Sequence, residues 1–211
     1  MIKEISEQAL RRLPQYLIIL QKFRAEDQQY CSASQIADAM NISAMQVRKD
    51  LAKIATDEGV PNQGRKINQL IRDIEKFLGY NTVSEAVIVG VGMLGRALIS
   101  YKGFNDYGVK IVMGFDVSTQ DVFTVSKTPI YPLKVMVNLV KRMGIAIGII
   151  AVPKKEAQAV CDLLLQAGVK AIWNFAPVHL DVPEDIIVHN ENMAESLAII
   201  SNKLKQQGDQ V

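Results

Sequence analysis

The segment that most restricts what this 211-residue chain can fold into is Gly90-Val91-Gly92-Met93-Leu94-Gly95, which has the spacing G-x-G-x-x-G. Alone, such a pattern carries little weight. Here it directly follows the β-branched run Glu85-Ala86-Val87-Ile88-Val89-Gly90 and opens a helical pattern from Met93 to Tyr101. A strand feeding a helix through such a turn starts a βαβ unit that binds a dinucleotide: Gly90 permits the tight turn, Gly92 lets a pyrophosphate approach the backbone, and Gly95 lets helix and strand pack closely. Free N–H groups at the helix start then face the phosphates. The next strand pattern, Val109 to Asp116, ends on a carboxylate 21 residues beyond Gly95. There Asp116 accepts hydrogen bonds from ribose hydroxyls and repels a 2′-phosphate. No arginine follows in Val117-Ser118-Thr119-Gln120, so the expected cofactor is NAD(H) rather than NADP(H). The alternative is a plain βα turn, with Asp116 an ordinary strand end.

Strand patterns recur at Ile145 to Val152 and Lys170 to Phe175, separated by helical patterns from Pro132 to Met143 and Lys154 to Ala167. This alternation predicts right-handed βαβ units around a parallel sheet covered on both faces. Before residue 80 the texture differs, because apolar residues recur at helical spacing. The chain therefore reads as an α/β protein with a helical domain at 1–80, a Rossmann domain at 81–191 and a terminal helix at 192–206.

Little length is left for a catalytic domain, since 211 − 80 = 131 residues are taken up by one nucleotide fold and its final helix. His179 and His189, the only histidines, have no neighbouring relay partners, and a surface role suits them. Cys161 sits in an apolar helical pattern, Cys31 lies in the other half, and metal-ligand spacing is absent. An enzyme is not expected. The longest apolar run, Gly144 to Pro153, is far short of the roughly 20 residues of a bilayer span. The N-terminus lacks a signal-peptide pattern, so a cytoplasmic protein without a membrane is expected.

In the helical domain, Ser32-Ala33-Ser34-Gln35 and Ser43-Ala44-Met45-Gln46 both have the form of a capping box. They predict helices over about 33–40 and 43–55 joined by a tight turn, as in a helix-turn-helix. On the second helix Val47, Leu51 and Ile54 form the inward stripe, with Met45, Gln46, Lys49 and Lys53 outward and Arg48 on the flank. In a major groove, Gln46 and Lys49 reach base edges while Arg48 and Lys53 hold phosphates. The same pattern also fits a solvated amphipathic helix in which Gln46 is only a cap. Residues Asp57 to Lys66 read as a turn with a basic tip, so Ser43, Met45, Gln46, Arg48, Lys49, Lys53, Arg65 and Lys66 form the candidate DNA-contacting set. Overall charge is +2, from 24 basic and 22 acidic residues. That balance excludes broad coating of a polyanion and leaves room for a small basic footprint.

Taken end to end, the sequence resembles the redox-sensing transcriptional repressor family called Rex. The resemblance is carried by Arg12-Leu13-Pro14-Gln15-Tyr16, by Ser43 to Leu51, and by Gly90 to Gly95. Tyr101, Phe115-Asp116, Val152-Pro153, Ala167 to Lys170, Asn174-Phe175-Ala176-Pro177 and Val182-Pro183 add to it. It implies a winged helix-turn-helix followed by a Rossmann domain, in a homodimer that binds double-stranded operator DNA and releases it when NADH rather than NAD+ is bound. It also implies a C-terminal helix exchanged between subunits, and the apolar residues Met193, Leu197, Ile200 and Leu204 suit one. By the same resemblance the nucleotide set is Gly90, Val91, Gly92, Met93, Leu94, Gly95, Tyr101, Asp116, Val117, Val152, Pro153, Asn174, Phe175, Ala176 and Pro177. The alternative is a small NAD-dependent oxidoreductase or nucleotide-binding protein whose helical domain only dimerises.

The chain also departs from the family pattern. Ala52-Lys53-Ile54-Ala55 stands where the family usually has Ser-Tyr-Phe-Gly, and Pro61 and Asn62 fall near the usual Arg-Gly of the wing. Ile18 and Asn192 occupy the positions of an Arg–Asp pair beside the nicotinamide, and Met93 replaces a polar residue. Losing both charges together avoids stranding one of them.

Overall fold

The computed structural model describes residues 5–60 and 63–208. Pro61 and Asn62 of the wing, and the side chain of Met193, lie outside the described residues. The chain divides into two units, Met1–Thr82 and Val83–Val211.

In the first unit α1 (Glu7–Ala25) and α4 (Ile67–Leu78) pack with a helix pair, α2 (Ala33–Met40) and α3 (Ala44–Ile54). The core joins Leu13, Tyr16, Leu17 and Leu20 of α1 to Ile36, Val47, Leu51 and Ile54 of the pair and to Ile67, Leu70, Ile71 and Ile74 of α4. Pro14 lies within α1, which runs through it. Two short strands, β1 (Tyr30–Cys31) and β2 (Arg65–Lys66), pair antiparallel, and the bridge Val60–Gly64 extends this ribbon as a wing. At the start of α2 the capping box forms: Ser32 Oγ accepts from Gln35 N at 3.2 Å, and Gln35 Oε1 accepts from Ser32 N at 2.8 Å. Asn41 ends the helix in the left-handed region, a conformation asparagine tolerates. Ser32→Ala is expected to lower the unit's stability by about 1 kcal/mol, read as a shift in the thermal melt. The expected second box does not form. Ser43 Oγ accepts from Met45 N, and the Gln46 side chain bonds Asp50 instead, because a buried carboxylate one turn away draws the amide from the helix end.

The second unit is a seven-stranded sheet in the order β5-β6-β4-β3-β7-β8-β9. Its strands are β3 (Ser84–Val89), β4 (Val109–Asp116), β5 (Phe123–Val125), β6 (Thr128–Pro132), β7 (Ile147–Ile150), β8 (Ala171–Asn174) and β9 (Ile187–Asn190). All pairings are parallel except β5–β6. The helices are α5 (Met93–Ser100), α6 (Met136–Met143), α7 (Ala157–Gln166) and α8 (Met193–Gly208). Side chains of β3 alternate between two cores: Val87 and Val89 meet Met136, Val140, Val160 and Leu164, while Ala86 and Ile88 meet Ile99, Ile111 and Ile149. Burial on both faces explains why β3 reads as a continuous apolar run. The helix expected from Pro132 begins at Met136 after a short 3-10 turn, since Pro132 still belongs to β6. Likewise α7 begins at Ala157 after a turn from Pro153. Among the described residues, no helix is long and apolar enough to cross a membrane, and no group of His, Cys, Asp and Glu is arranged to hold a metal ion. Cys31 and Cys161 are buried thiols whose pKa burial pushes up to about 11.

Candidate functional site

The strand order reverses at β3, with β4 on one side and β7 on the other, and open α/β sheets bind ligands outside the carboxyl ends of strands at such a point. Here a cavity of about 460 Å3 opens there, lined by Gly90, Gly92, Asp116, Val117, Val152 and Pro153 together with Leu133, Lys155 and Leu163. Gly90 takes φ +94°, and a Cβ on it would sit 2.5 Å from the carbonyl oxygen of Ala151. A Cβ on Gly95 would meet the Gly90 carbonyl oxygen at 2.0 Å, so α5 touches the turn directly. At Gly92 a Cβ would meet nothing within 4 Å; the backbone there faces open space. Gly92 caps α5 without a side-chain hydrogen bond, which leaves N–H groups of the first turn to a ligand.

Asp116 ends β4 beside this turn. Its Oδ2 accepts from Val91 N at 2.7 Å, and its Oδ1 accepts from the backbone N and Oγ of Ser118 at 2.8 and 2.6 Å. Burial pushes its pKa up, but the Ser118 and Val91 donors and the nearby Arg96 charge outweigh burial and hold it below the usual carboxylate value. An ionised carboxylate has about four acceptor positions; three are used, so one remains for a ribose hydroxyl. Arg96 lies on α5, ahead of β4, whereas the sequence pattern for a 2′-phosphate concerns the residues that follow the strand. Arg96 Nε donates to Val91 O at 3.0 Å, its guanidinium lies over the Phe123 ring, and it lines a hollow with Asp116, Ser118, Thr119 and Gln120.

The other candidate residues do not line this cavity. Met93 is almost wholly exposed and Leu94 half-buried at the start of α5. Tyr101 is exposed and packs edge-on to Phe104, which meets Trp173, and Trp173 meets Phe175. Asn174 is fully buried at the end of β8, where its side chain bonds Ala176 N and O, Val178 O and Asn190 Oδ1. It holds the Phe175-Ala176-Pro177 turn. His179 and His189 are exposed.

In the first unit α3 exposes Met45, Gln46, Arg48, Lys49 and Lys53, with Ser43 at its cap. Arg48 lines the groove between this helix pair and the wing, opposite Glu58 and Gly64. Lys66 is exposed. Arg65 is half-buried and pairs with Asp57 at 2.9 Å, so its charge is partly spent within the wing. Asp50, which the sequence shows only as a negative charge among basic residues, is 4% exposed. Arg12 grips it with Nε at 2.8 Å and Nη2 at 3.0 Å, Tyr16 donates its hydroxyl at 2.8 Å, and Gln46 Nε2 donates at 3.3 Å. These donors come from α1 and from α3 itself, so the polar cluster ties the exposed helix to the core. A sequence signal existed in Arg12 and Tyr16, four positions apart on one helix face, but nothing local named their partner.

Comparison with known proteins bears on both places. A family model described as "CoA binding domain" matches residues 81–178, and one described as "Putative DNA-binding protein N-terminus" matches residues 4–52. The redox-sensing transcriptional repressor Rex of Bacteroides fragilis is 36% identical over 202 residues, covering 95% of this chain and 91% of the relative. That of Porphyromonas gingivalis is 36% identical over 203 residues, covering 96% and 93%. The chain belongs to the Rex family. Among solved structures, the Rex-family repressor RSP in complex with β-NAD+ and operator DNA superposes with a TM-score of 0.90 at 30% identity, covering 98% of this chain and 95% of that one. RSP in complex with β-NADH gives 0.82 at 30% identity, covering 97% and 96%.

Where this Rex chain departs from the family pattern, the structure shows what the substitutes do. Ile18 is 60% exposed on α1. The Oδ1 of Asn192 accepts from Glu195 N at 3.1 Å, so asparagine caps α8 as aspartate would. Along Ala52 to Ala55, Ile54 is buried in the helical core and Ala55 forms the C-cap of α3. On α8 the apolar Leu197, Ile199, Ile200 and Leu204 are all at least half exposed within one chain.

Proposed function

We propose that this protein is a redox-sensing transcriptional repressor that binds operator DNA through its winged helix-turn-helix and loosens its grip when NADH binds its Rossmann unit. The observation that carries the reading is the cavity at the β3 switch point, with its uncapped α5 and an Asp116 that keeps one acceptor position open, on the same chain as an exposed, basic helix of a helix-turn-helix. The residues fit NAD(H): the backbone from Gly90 to Gly95 would cradle the pyrophosphate, Asp116 and Val117 the adenosine, and Val152 and Pro153 one wall. Tyr101 and the turn Asn174 to Pro177 complete the nucleotide set. Bound nucleotide supplies no reaction here; its oxidation state is the signal. At the DNA, Gln46 and Lys49 face base edges, and Ser43, Met45, Arg48, Lys53, Arg65 and Lys66 flank them toward the phosphates. The protein is a regulator in the cytoplasm.

The active form is a homodimer in which α8 packs against, and exchanges with, a second copy. Four large apolar side chains exposed on one helix support this, since a solvated helix does not keep such a face. NADH then acts by binding the DNA-incompetent arrangement of the dimer more tightly than the DNA-binding one.

The test is a titration of labelled upstream DNA with the full-length protein. Affinity is expected to fall steeply with salt and to drop about tenfold with NADH relative to NAD+. Equal affinity with NADH, NAD+ and no nucleotide would remove the sensor. Loss of all salt-dependent binding would remove the repressor.

A further inference from the structure

We propose that Asp50 sets the hydrogen-bonding sense of Gln46, so that α3 offers DNA an acceptor, Gln46 Oε1, and favours an amino base over a keto base on the contacted strand. The inference rests on α3 being the base-reading helix. Asp50 is almost wholly buried, and Arg12 holds both its oxygens. An ionised carboxylate accepts hydrogen bonds and donates none. Its Oδ1 therefore takes the amide nitrogen of Gln46, the bond found at 3.3 Å. The reverse orientation would set Gln46 Oε1 against Oδ1, acceptor against acceptor.

The amide is thus oriented before DNA arrives, one turn ahead of its anchor on the same helix. Tyr16, whose hydroxyl donates to Oδ2, and Arg12 prevent the carboxylate from turning with the amide. In the major groove, adenine N6 and cytosine N4 are donors, whereas guanine O6 and thymine O4 are acceptors. An oriented acceptor therefore distinguishes adenine or cytosine from guanine or thymine. A free glutamine, able to turn over, would not do so by itself.

A randomised duplex pool, selected with the full-length wild type, Gln46→Ala and Asp50→Asn, tests this. For the wild type, adenine or cytosine is expected to be enriched about tenfold at one position of each half-site, the size of one good base contact. Gln46→Ala, a change at an exposed side chain, should abolish that enrichment. Asp50→Asn should reduce it, because an asparagine amide satisfies either orientation of Gln46; circular dichroism checks that this variant folds. If it does not fold, the comparison of wild type with Gln46→Ala decides by itself. The proposal fails if wild type and Gln46→Ala select the same bases, if the position sensitive to Gln46 prefers guanine or thymine, or if folded Asp50→Asn keeps the full preference. A wild type that selects no sequence and binds no DNA overturns the DNA-binding reading itself, an outcome separate from selection that is indifferent to Gln46.

Discussion

Gly95→Ala is expected to weaken NAD(H) binding about 100-fold or more and to destabilise the nucleotide unit by about 3 kcal/mol. Alanine is intrinsically the better helix residue by about 1 kcal/mol, so helix propensity alone predicts the opposite sign. Contact decides otherwise. The added Cβ would lie 2.0 Å from the carbonyl oxygen of Gly90, a backbone atom that cannot rotate away. Gly90 is itself pinned, because its N–H donates to Phe115 O at 2.9 Å and its φ of +94° suits glycine. Relief therefore requires α5 to shift off β3, which moves the N–H groups aimed at the pyrophosphate. Calorimetric titration with NADH and a thermal melt measure the two effects. Retention of wild-type affinity within about threefold would falsify the assignment of this turn to the phosphates.

Asp50→Ala is expected to cost about 3 kcal/mol of stability in the winged helix-turn-helix, since it removes the buried carboxylate that the half-buried Arg12 and the buried Tyr16 share. Arg12 would keep its charge with no carboxylate beside it, and the fully buried Tyr16 would lose its hydroxyl's acceptor. The wild type carries a matching pH signature. Burial raises the Asp50 pKa, but the Arg12 and Tyr16 bonds and the Arg12 charge prevail and hold it below the ordinary value. A carboxyl with a depressed folded pKa stabilises above its unfolded pKa, and the benefit fades as pH falls through the folded value. Wild type and Asp50→Ala should therefore differ fully at pH 7 and converge below about pH 4. Urea unfolding across that range measures the difference. A constant gap down to pH 2 would mean that packing, not the carboxylate, accounts for it.

How much was legible beforehand followed how locally each feature is encoded. The strands β3, β4, β7 and β8 were readable because burial on both faces makes them compact β-branched runs. By contrast β5, β6 and β9 are short and mostly not fully buried. Their pairing to the sheet edges follows from neighbours, so no residue pattern announced them. The capping box at Ser32 was legible and formed. The identical pattern at Ser43 did not, because Asp50 competes for the same glutamine.

By itself the sequence determined the glycine turn, the carboxylate ending β4, the helix pair and the family to which the chain belongs. Each is written within a few consecutive residues whose backbone demands are local. Only the tertiary structure decided what the charges mean. It placed Arg96 beside Asp116, paired Arg65 with Asp57, and brought Arg12 onto Asp50 across 38 positions. A charge count treats Asp50 as opposing the basic helix around it. Folding buries it against a guanidinium and a phenol, where it neutralises Arg12 and leaves the basic face of α3 outward. Hydrogen bonds act over about 3 Å of space, without regard to distance along the chain.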